Sequence, residues 1–283
     1  MKDVRKLFKK LGGILILGMS FLLLAGCSSS KSSTKNSASV YNRVKKTNTL
    51  VWGVKYDTAL FGIKSVKTNK LEGFEIDLAQ LLTKKILGKN GKTQFIEVNA
   101  SSKVPQLKNG NIDAVLATMT ITPERAKVID FSTPYFKAGT SLLVKKNSGI
   151  RSIKDLNNPN KKIIIEKGTT AETDVKKYAP KAKIRQFGDY GACTNALLAG
   201  QGDAMATDNG ILAGIAKEHK ELQLVGGVIA IEPYGIAVDK GQSKMLKAIN
   251  KALKDVKADG SYHRLMKKWF GNIEGFNIKE AEY

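Results

Sequence analysis

The chain has 283 residues, 47 of them basic and 25 acidic, for a formal charge of +22 at pH 7. An excess of this size suits anionic surfaces such as cell-wall polymers, lipid headgroups or nucleic acid. Nucleic acid is disfavoured, because the lysines are dispersed and no zinc-finger, helix-turn-helix or RNP pattern is present.

Lys2, Arg5, Lys6, Lys9 and Lys10 precede a 15-residue apolar run, Leu11–Ala25. A membrane span needs roughly 20 such residues, so the run reads as the core of a secretory leader, residues 1–26. It ends in Leu24-Ala25-Gly26-Cys27 and three serines, which resembles the lipobox of bacterial lipoproteins. That resemblance implies that Cys27 is acylated and that the mature protein is anchored to the outer face of the cell membrane rather than spanning it. Losing five basic and one acidic residue with the leader leaves +18. Residues 27–48, rich in Ser, Lys and Asn without an apolar period, are expected to form a flexible tether. Cys193 then has no disulfide partner and is expected as a small core residue.

Thr49–Lys55 reads as a first strand. Phe74, Leu78, Leu81 and Leu82 follow at helical spacing, with Gly88 placed to stop the helix. Thr93–Val98 is a second strand, the KVPQLKNG stretch a short helix, and the DAVLAT stretch a third strand. This β-α-β-α-β rhythm predicts an α/β layer structure with a mostly parallel sheet. It then repeats, with a strand at Lys161–Gly168, a helix opened by Thr169 and Thr170, the KIRQF strand, the NALLAG helix end, the DAMAT strand and another helix. Gly110-x-x-Asp113-Ala114 and Gly200-x-x-Asp203-Ala204 match at an offset that carries Thr118 onto Asp208, which suggests two lobes of like construction. The segments expected to pass between them are Ala138–Lys145 and Ile231–Val238. A helix over Ser243–Ala258 and a last short one through SYHRLMKKWFG close the chain.

Ligands of open α/β sheets bind beyond the carboxyl ends of the strands, where this chain places hydroxyls and charges. A guanidinium fork holds a carboxylate in a fixed plane, and a helix N-terminus supplies further donors. Arg125 and Thr120 fit the first role, Thr169 and Thr170 the second, and Asp208 offers a carboxylate to an ammonium group.

The runs GFEIDLAQLL, LKNGNIDAVLATMTITPER and DFSTPYF, followed by KGTTAE, AMATDNGIL, EPYGIAV and DGSYHRLMKKWFG, resemble the extracellular amino-acid-binding proteins of bacterial ABC importers, solute-binding protein family 3. The likeness spans about residues 49–271. It implies a periplasmic-binding-protein-like α/β fold with two lobes on a two-stranded hinge. Residues 49–140 and 233–283 would form one lobe and 141–232 the other, closing over one free amino acid as a monomer that serves a membrane permease and its ATPase. By position it assigns Thr120, Arg125 and Thr170 to the α-carboxylate, and Asp208 with the backbone around Thr118 to the α-ammonium.

For the ligand side chain the resemblance points to Lys55, Lys103, Tyr190 and Phe61. Lys55 stands where relatives that bind cationic amino acids carry an acid, which favours glutamine, glutamate or aspartate. Lys103 replaces an arginine of aspartate- and glutamate-binding relatives and lacks its bidentate fork. Strongly basic lactobacillar relatives suggest a second reading, cystine uptake or adhesion to collagen or mucus, in keeping with the charge. A third, a dehydratase-like enzyme, needs an acid or base over the ligand. Glu172 is its one candidate, since His219 and His263 fall on helices away from the cleft. No cofactor or metal site is expected.

Overall fold

The computed structural model describes residues 39–273 and 276–283. The leader, Cys27 and the start of the tether lie outside the described residues. The first element, helix α1 (Val40–Thr47), stands where a flexible tether is expected to reach Asn48. Ser39 caps it, Val44 is fully buried, and Arg43 bonds the Asp113 carboxylate. Val40 and Val44, one turn apart, dock this short helix together with Tyr41, and a polar composition conceals them.

Strand β1 (Thr49–Val54) leads into a small meander of β2 (Asp57–Thr58), β3 (Gly62–Lys64) and β4 (Leu71–Glu72). Gly73 then opens α2 (Phe74–Leu87) with φ 147, and a Cβ there would lie 2.1 Å from the Phe61 carbonyl oxygen. Only glycine permits that approach. In return the Leu60 and Phe61 carbonyls accept from the Phe74 and Glu75 N–H groups at 2.7 and 3.0 Å, satisfying donors that a helix start leaves open. The helix ends where expected, with the Gly88 N–H on the Lys84 carbonyl.

The chain continues through β5 (Lys92–Glu97), α3 (Lys103–Lys108), β6 (Ala114–Val115), α4 (Pro123–Ala126) and β7 (Ile129–Phe131). It then builds β8 (Phe136–Lys145), β9 (Lys162–Glu166), α5 (Ala171–Tyr178), β10 (Lys183–Phe187), α6 (Tyr190–Leu198), β11 (Ala204–Asp208), α7 (Asn209–Glu218) and β12 (Leu222–Tyr234). It closes with β13 (Ala237–Asp239), α8 (Ser243–Ala258), α9 (Ser261–Phe270) and α10 (Ile278–Ala281). Two five-stranded sheets result, ordered β5-β1-β6-β13-β7 and β10-β9-β11-β8-β12. In each, the second strand of that order, β1 or β9, has two parallel neighbours, and the other two pairings are antiparallel. This is the mixed α/β, two-lobe periplasmic-binding-protein-like fold.

The first crossing between sheets comes earlier than expected. Phe136 already pairs with Tyr234 in the second sheet, and β8 has β12 beside it from Phe136 to Lys145 and β11 beside Thr140 to Leu143. The apolar run from Ala138 to Val144 is buried because it is an interior strand, and the chain crosses before it, between Phe131 and Phe136. The return crossing lies between Tyr234 and Ala237, inside the expected segment.

The two sheets repeat each other in register. Trp52 pairs with Ala114 in the first and Ile163 with Ala204 in the second. Asp113 exchanges 2.8 Å bonds with the Val51 backbone, and Asp203 does the same with Lys162. Gly110 and Gly200 both sit in the left-handed region, at φ 74 and 72. The short Gly-x-x-Asp-Ala match is therefore one structural device used twice. In the same register, Lys55 after β1 is the counterpart of Glu166 at the end of β9.

Candidate functional site

The carboxyl ends of β1, β6, β9 and β11 converge on a narrow cavity between the lobes. From the first lobe come Lys55, Lys103, Thr118, Thr120 and Arg125, and from the second Glu166, Thr170, Tyr190 and Asp208. The lobes touch around it. Arg125 Nη2 donates to the Gly168 carbonyl at 3.3 Å, Ser101 Oγ to the Lys167 carbonyl at 3.0 Å, and the Tyr190 N–H to Asp57 at 3.0 Å. A larger groove, lined by β12, α7 and the C-terminal segment, mixes lysines with apolar side chains. Size is a weaker guide than chemistry: the larger groove has one acid, Glu280, among its lysines, whereas the narrower site sets Arg125 and Asp208 on opposite lobes.

Arg125 is held by α4, whose start is set by Pro123 and by the Thr122 hydroxyl accepting from the Arg125 N–H at 3.2 Å. Its Nη1 donates to the Thr120 carbonyl at 2.9 Å, tying the guanidinium to the strand end that carries Thr120. Burial works against its charge and lowers its pKa, opposed by the carboxylates of Glu232 and Asp208. Thr170 occupies the N-cap position of α5, yet its hydroxyl makes no cap bond. The same holds for Asp208 at the start of α7, where Oδ2 accepts from the Tyr234 hydroxyl at 2.5 Å. Burial, and then Glu232, push the Asp208 carboxyl up to about 7. A cation placed beside it would reverse that push, because a nearby positive charge favours the carboxylate.

Thr118 has φ 42, unusual for a threonine. Its N–H donates to Glu75 Oε1 at 2.7 Å and its carbonyl accepts from Lys103 Nζ at 3.5 Å, so both backbone groups are engaged within the lobe. Glu75 is fully buried on α2, also accepts from the Tyr135 hydroxyl, and is pushed up to about 7 by burial. Sequence reasoning passed over it, although it falls on the stripe of Leu78 and Leu82, where a carboxylate has no business unless it is bonded.

The side-chain end of the cavity differs from expectation in one respect. Lys55 is 1 % exposed and donates to both oxygens of Glu166, at 3.0 and 3.2 Å, with Asp57 at 3.1 Å and the Tyr190 ring centroid at 4.6 Å. Burial opposes its ammonium, but Glu166 and Asp57 outweigh burial and its pKa ends raised. Glu166, which also accepts from the Ala100 N–H at 3.0 Å, went unnoticed as the last residue of an apolar strand. Lys103 is buried with Nζ on the Ala117 carbonyl at 3.0 Å; burial, with Arg125 and Lys55 nearby, pushes it down to about 7. Tyr190 lines the cavity, its hydroxyl 2.9 Å from Thr207 Oγ1.

Phe61 does not reach the cavity. It is fully buried among Phe74, Phe136, Tyr234 and Phe270, with ring centroids 5.1 to 6.4 Å away. The turn into α2 that needs Gly73 points it inward. Phe61→Ala is expected to cost ~3–5 kcal/mol and to lower Tm by roughly 10 °C, while ligand affinity of the folded fraction changes less than tenfold. Calorimetric melting alongside titration checks this; an unchanged Tm with a hundredfold weaker ligand would return Phe61 to the cavity wall.

Glu172 pairs with Lys176 at 2.6 Å, His219 lies near Glu221 and His263 bonds Glu282; none of the three lines the cavity. Cys193 is a free, buried thiol, its pKa raised by burial. Among the described residues no group of three or more His, Cys, Asp or Glu is placed to hold a metal, and no helix is long and apolar enough to cross a membrane.

Comparison with known proteins places this geometry. Residues 50–272 match the model of the bacterial extracellular solute-binding proteins, family 3. The chain is 44% identical over 266 residues to the ABC transporter glutamine-binding protein GlnH of Bacillus subtilis (strain 168), covering 92% of this chain and 97% of that one. It is 44% identical over 246 residues to the glutamine-binding protein of Geobacillus stearothermophilus, covering 83% and 94%. Among solved structures, an ancestral arginine-binding protein bound to glutamine superposes with a TM-score of 0.74 at 40% identity, covering 80% of this chain and 99% of that one. With its fold, its matched span and these relatives in agreement, the chain belongs to the bacterial extracellular solute-binding proteins, family 3.

Proposed function

We propose that the protein is the substrate-binding subunit of an ABC importer and captures free glutamine by closure of its lobes, releasing it unchanged to a membrane permease. The observation that carries the side-chain preference is the Lys55–Glu166 bridge. A lone lysine at that end would attract a second carboxylate, as in glutamate or aspartate. Here its charge is matched from the other lobe, and Lys103 sits at about 7, between ammonium and amine. A neutral amide suits such an end. At the other end Arg125 and Asp208 offer opposite charges on opposite lobes, which is differential affinity of a zwitterion for the closed state. The names of the 44% identical relatives support the same ligand. Acylation of Cys27 on the outer face of the membrane is part of this reading and rests on the leader alone.

Titration calorimetry of the mature chain with glutamine, glutamate, aspartate, cystine and arginine tests it. Glutamine is expected to bind tightest, and tight arginine binding would sink the proposal. Glutamate leans on the Lys103 ammonium, which is present below about 7 and lost above it. Discrimination against glutamate should therefore weaken as pH falls from 8 to 6.

A further inference from the structure

Thr118 lines the cavity with its backbone in the left-handed region, at φ 42. A β-branched side chain crowds its own backbone there, so the conformation persists only where neighbours hold it. Here two buried ionisable side chains hold a single peptide group. Lys103 Nζ, from α3, donates to the Ala117 carbonyl at 3.0 Å. Glu75 Oε1, from α2, accepts from the Thr118 N–H at 2.7 Å. That carbonyl and that N–H are the two ends of one amide. Glu75 is fully buried behind the cavity, whereas Lys103 and Thr118 stand in its wall.

The amide dipole sets its oxygen against the lysine and its N–H against the acid, so each bond polarises the amide in the sense that strengthens the other. Tyr135 donates its hydroxyl to the same Glu75 oxygen, and its own N–H reaches the Tyr234 carbonyl at 2.9 Å. The acid is thereby fixed from the first crossing between the sheets. We propose that Glu75 is a positioning residue of the amino-acid site: through the Ala117–Thr118 amide it holds the turn that presents Thr118 and keeps the Lys103 ammonium in the cavity wall. It touches no ligand itself. An apolar residue on the same stripe of α2 would supply packing and neither of these effects.

The electrostatic surroundings agree in sign. Burial, then Arg125 and Lys55, push Lys103 down to about 7, and Glu166 and Glu75 oppose them. Burial pushes Glu75 up to about 7, opposed by the Tyr135 hydroxyl, the Thr118 N–H, Lys103 and Lys55. Glu166 belongs to the other lobe and is bonded to Lys55. Glu75 supports Lys103 from within the same lobe, so its support does not depend on closure. An ionised Glu75 favours the Lys103 ammonium and the ammonium favours the carboxylate. Neutralising Glu75 therefore moves loss of the ammonium to lower pH.

Resting on the reading that the ligand lies against Thr118 and Lys103, the role is tested in two steps. Wild type and Glu75→Gln, which keeps the shape and one acceptor oxygen, are first compared without ligand by following the Lys103 Cε resonance against pH. Both are then titrated with glutamine by calorimetry. In the variant the Lys103 midpoint is expected to fall by on the order of one pH unit. Glutamine affinity should drop roughly tenfold, because a loosened turn and a neutral amine both weaken the wall. An unchanged midpoint overturns the proposal, and so does an affinity within about threefold of wild type. A lower Tm with both readings unchanged makes Glu75 a residue of the fold alone and equally overturns it. Should Glu75→Gln not fold, wild type decides: the Thr118 amide proton and the Lys103 Cε are expected to share their titration midpoints, and separate midpoints overturn the link. Failure of the functional reading looks different, since wild type would then bind no amino acid while the ligand-free titrations still report on the amide.

Discussion

Arg125→Ala is expected to weaken amino-acid binding by roughly 30-fold to several thousandfold, the ~2–5 kcal/mol that removing one partner of a buried charged contact costs. Three losses combine in that figure. The fork that fixes the carboxylate plane disappears, the cross-lobe bond to the Gly168 carbonyl goes with it, and the ligand carboxylate is left in a buried site without a counter-charge. Arg125→Lys keeps the charge but not the fork, and should fall between the two. Ligand-free melting should shift little, since the contacts of Arg125 within its own lobe amount to the Thr120 carbonyl and its helix cap. Titration with glutamine reads the effect. Affinity within threefold of wild type would remove Arg125 from the carboxylate site, and a large drop in ligand-free Tm would make it a structural residue.

The positions of Arg125, Thr120, Thr170 and Asp208 beside the cavity follow from local rules that the sequence displays. Each follows a strand end or opens a helix, where backbone periodicity breaks and a polar side chain stands out. Phe61 was not placed, because an apolar residue near a predicted site has the same local signature whether it faces ligand or core. The Gly73 close approach, a tertiary fact, decides it. Glu166 and Glu75 were missed for the opposite reason. Each carboxylate sits on the buried pattern of an ordinary strand or helix, and each is explained only by a partner more than 40 residues away. The internal match at Gly110 and Gly200, which suggests two like lobes, reaches further than that in the structure. Extending the same register from Trp52 and Ile163 leads to Lys55 and Glu166, equivalent positions of the two lobes that pair across the cavity. The α1 helix was hidden because two valines in a polar stretch carry too little pattern to be seen.

That pairing sets the second large effect. Lys55→Met is expected to weaken glutamine binding by two to three orders of magnitude and to create binding of arginine. Removing one partner of a buried ion pair costs ~3–5 kcal/mol because the survivor is left uncompensated. The survivor here is Glu166, which is stranded only where the lobes meet. Apart from lobe 1 it loses the Ala100 N–H and gains water, so the penalty falls on the closed state and ligand-free melting should move little. A cationic side chain reaching the same end of the cavity replaces the missing charge, which is why arginine gains where glutamine loses. Glu166→Gln should be milder, because Lys55 keeps Asp57 at 3.1 Å and the Tyr190 ring. Titrating both variants with glutamine and arginine decides the matter. If Lys55→Met binds glutamine as tightly as wild type and still ignores arginine, Glu166 is balanced by some other group, and the bridge is not what selects a neutral side chain.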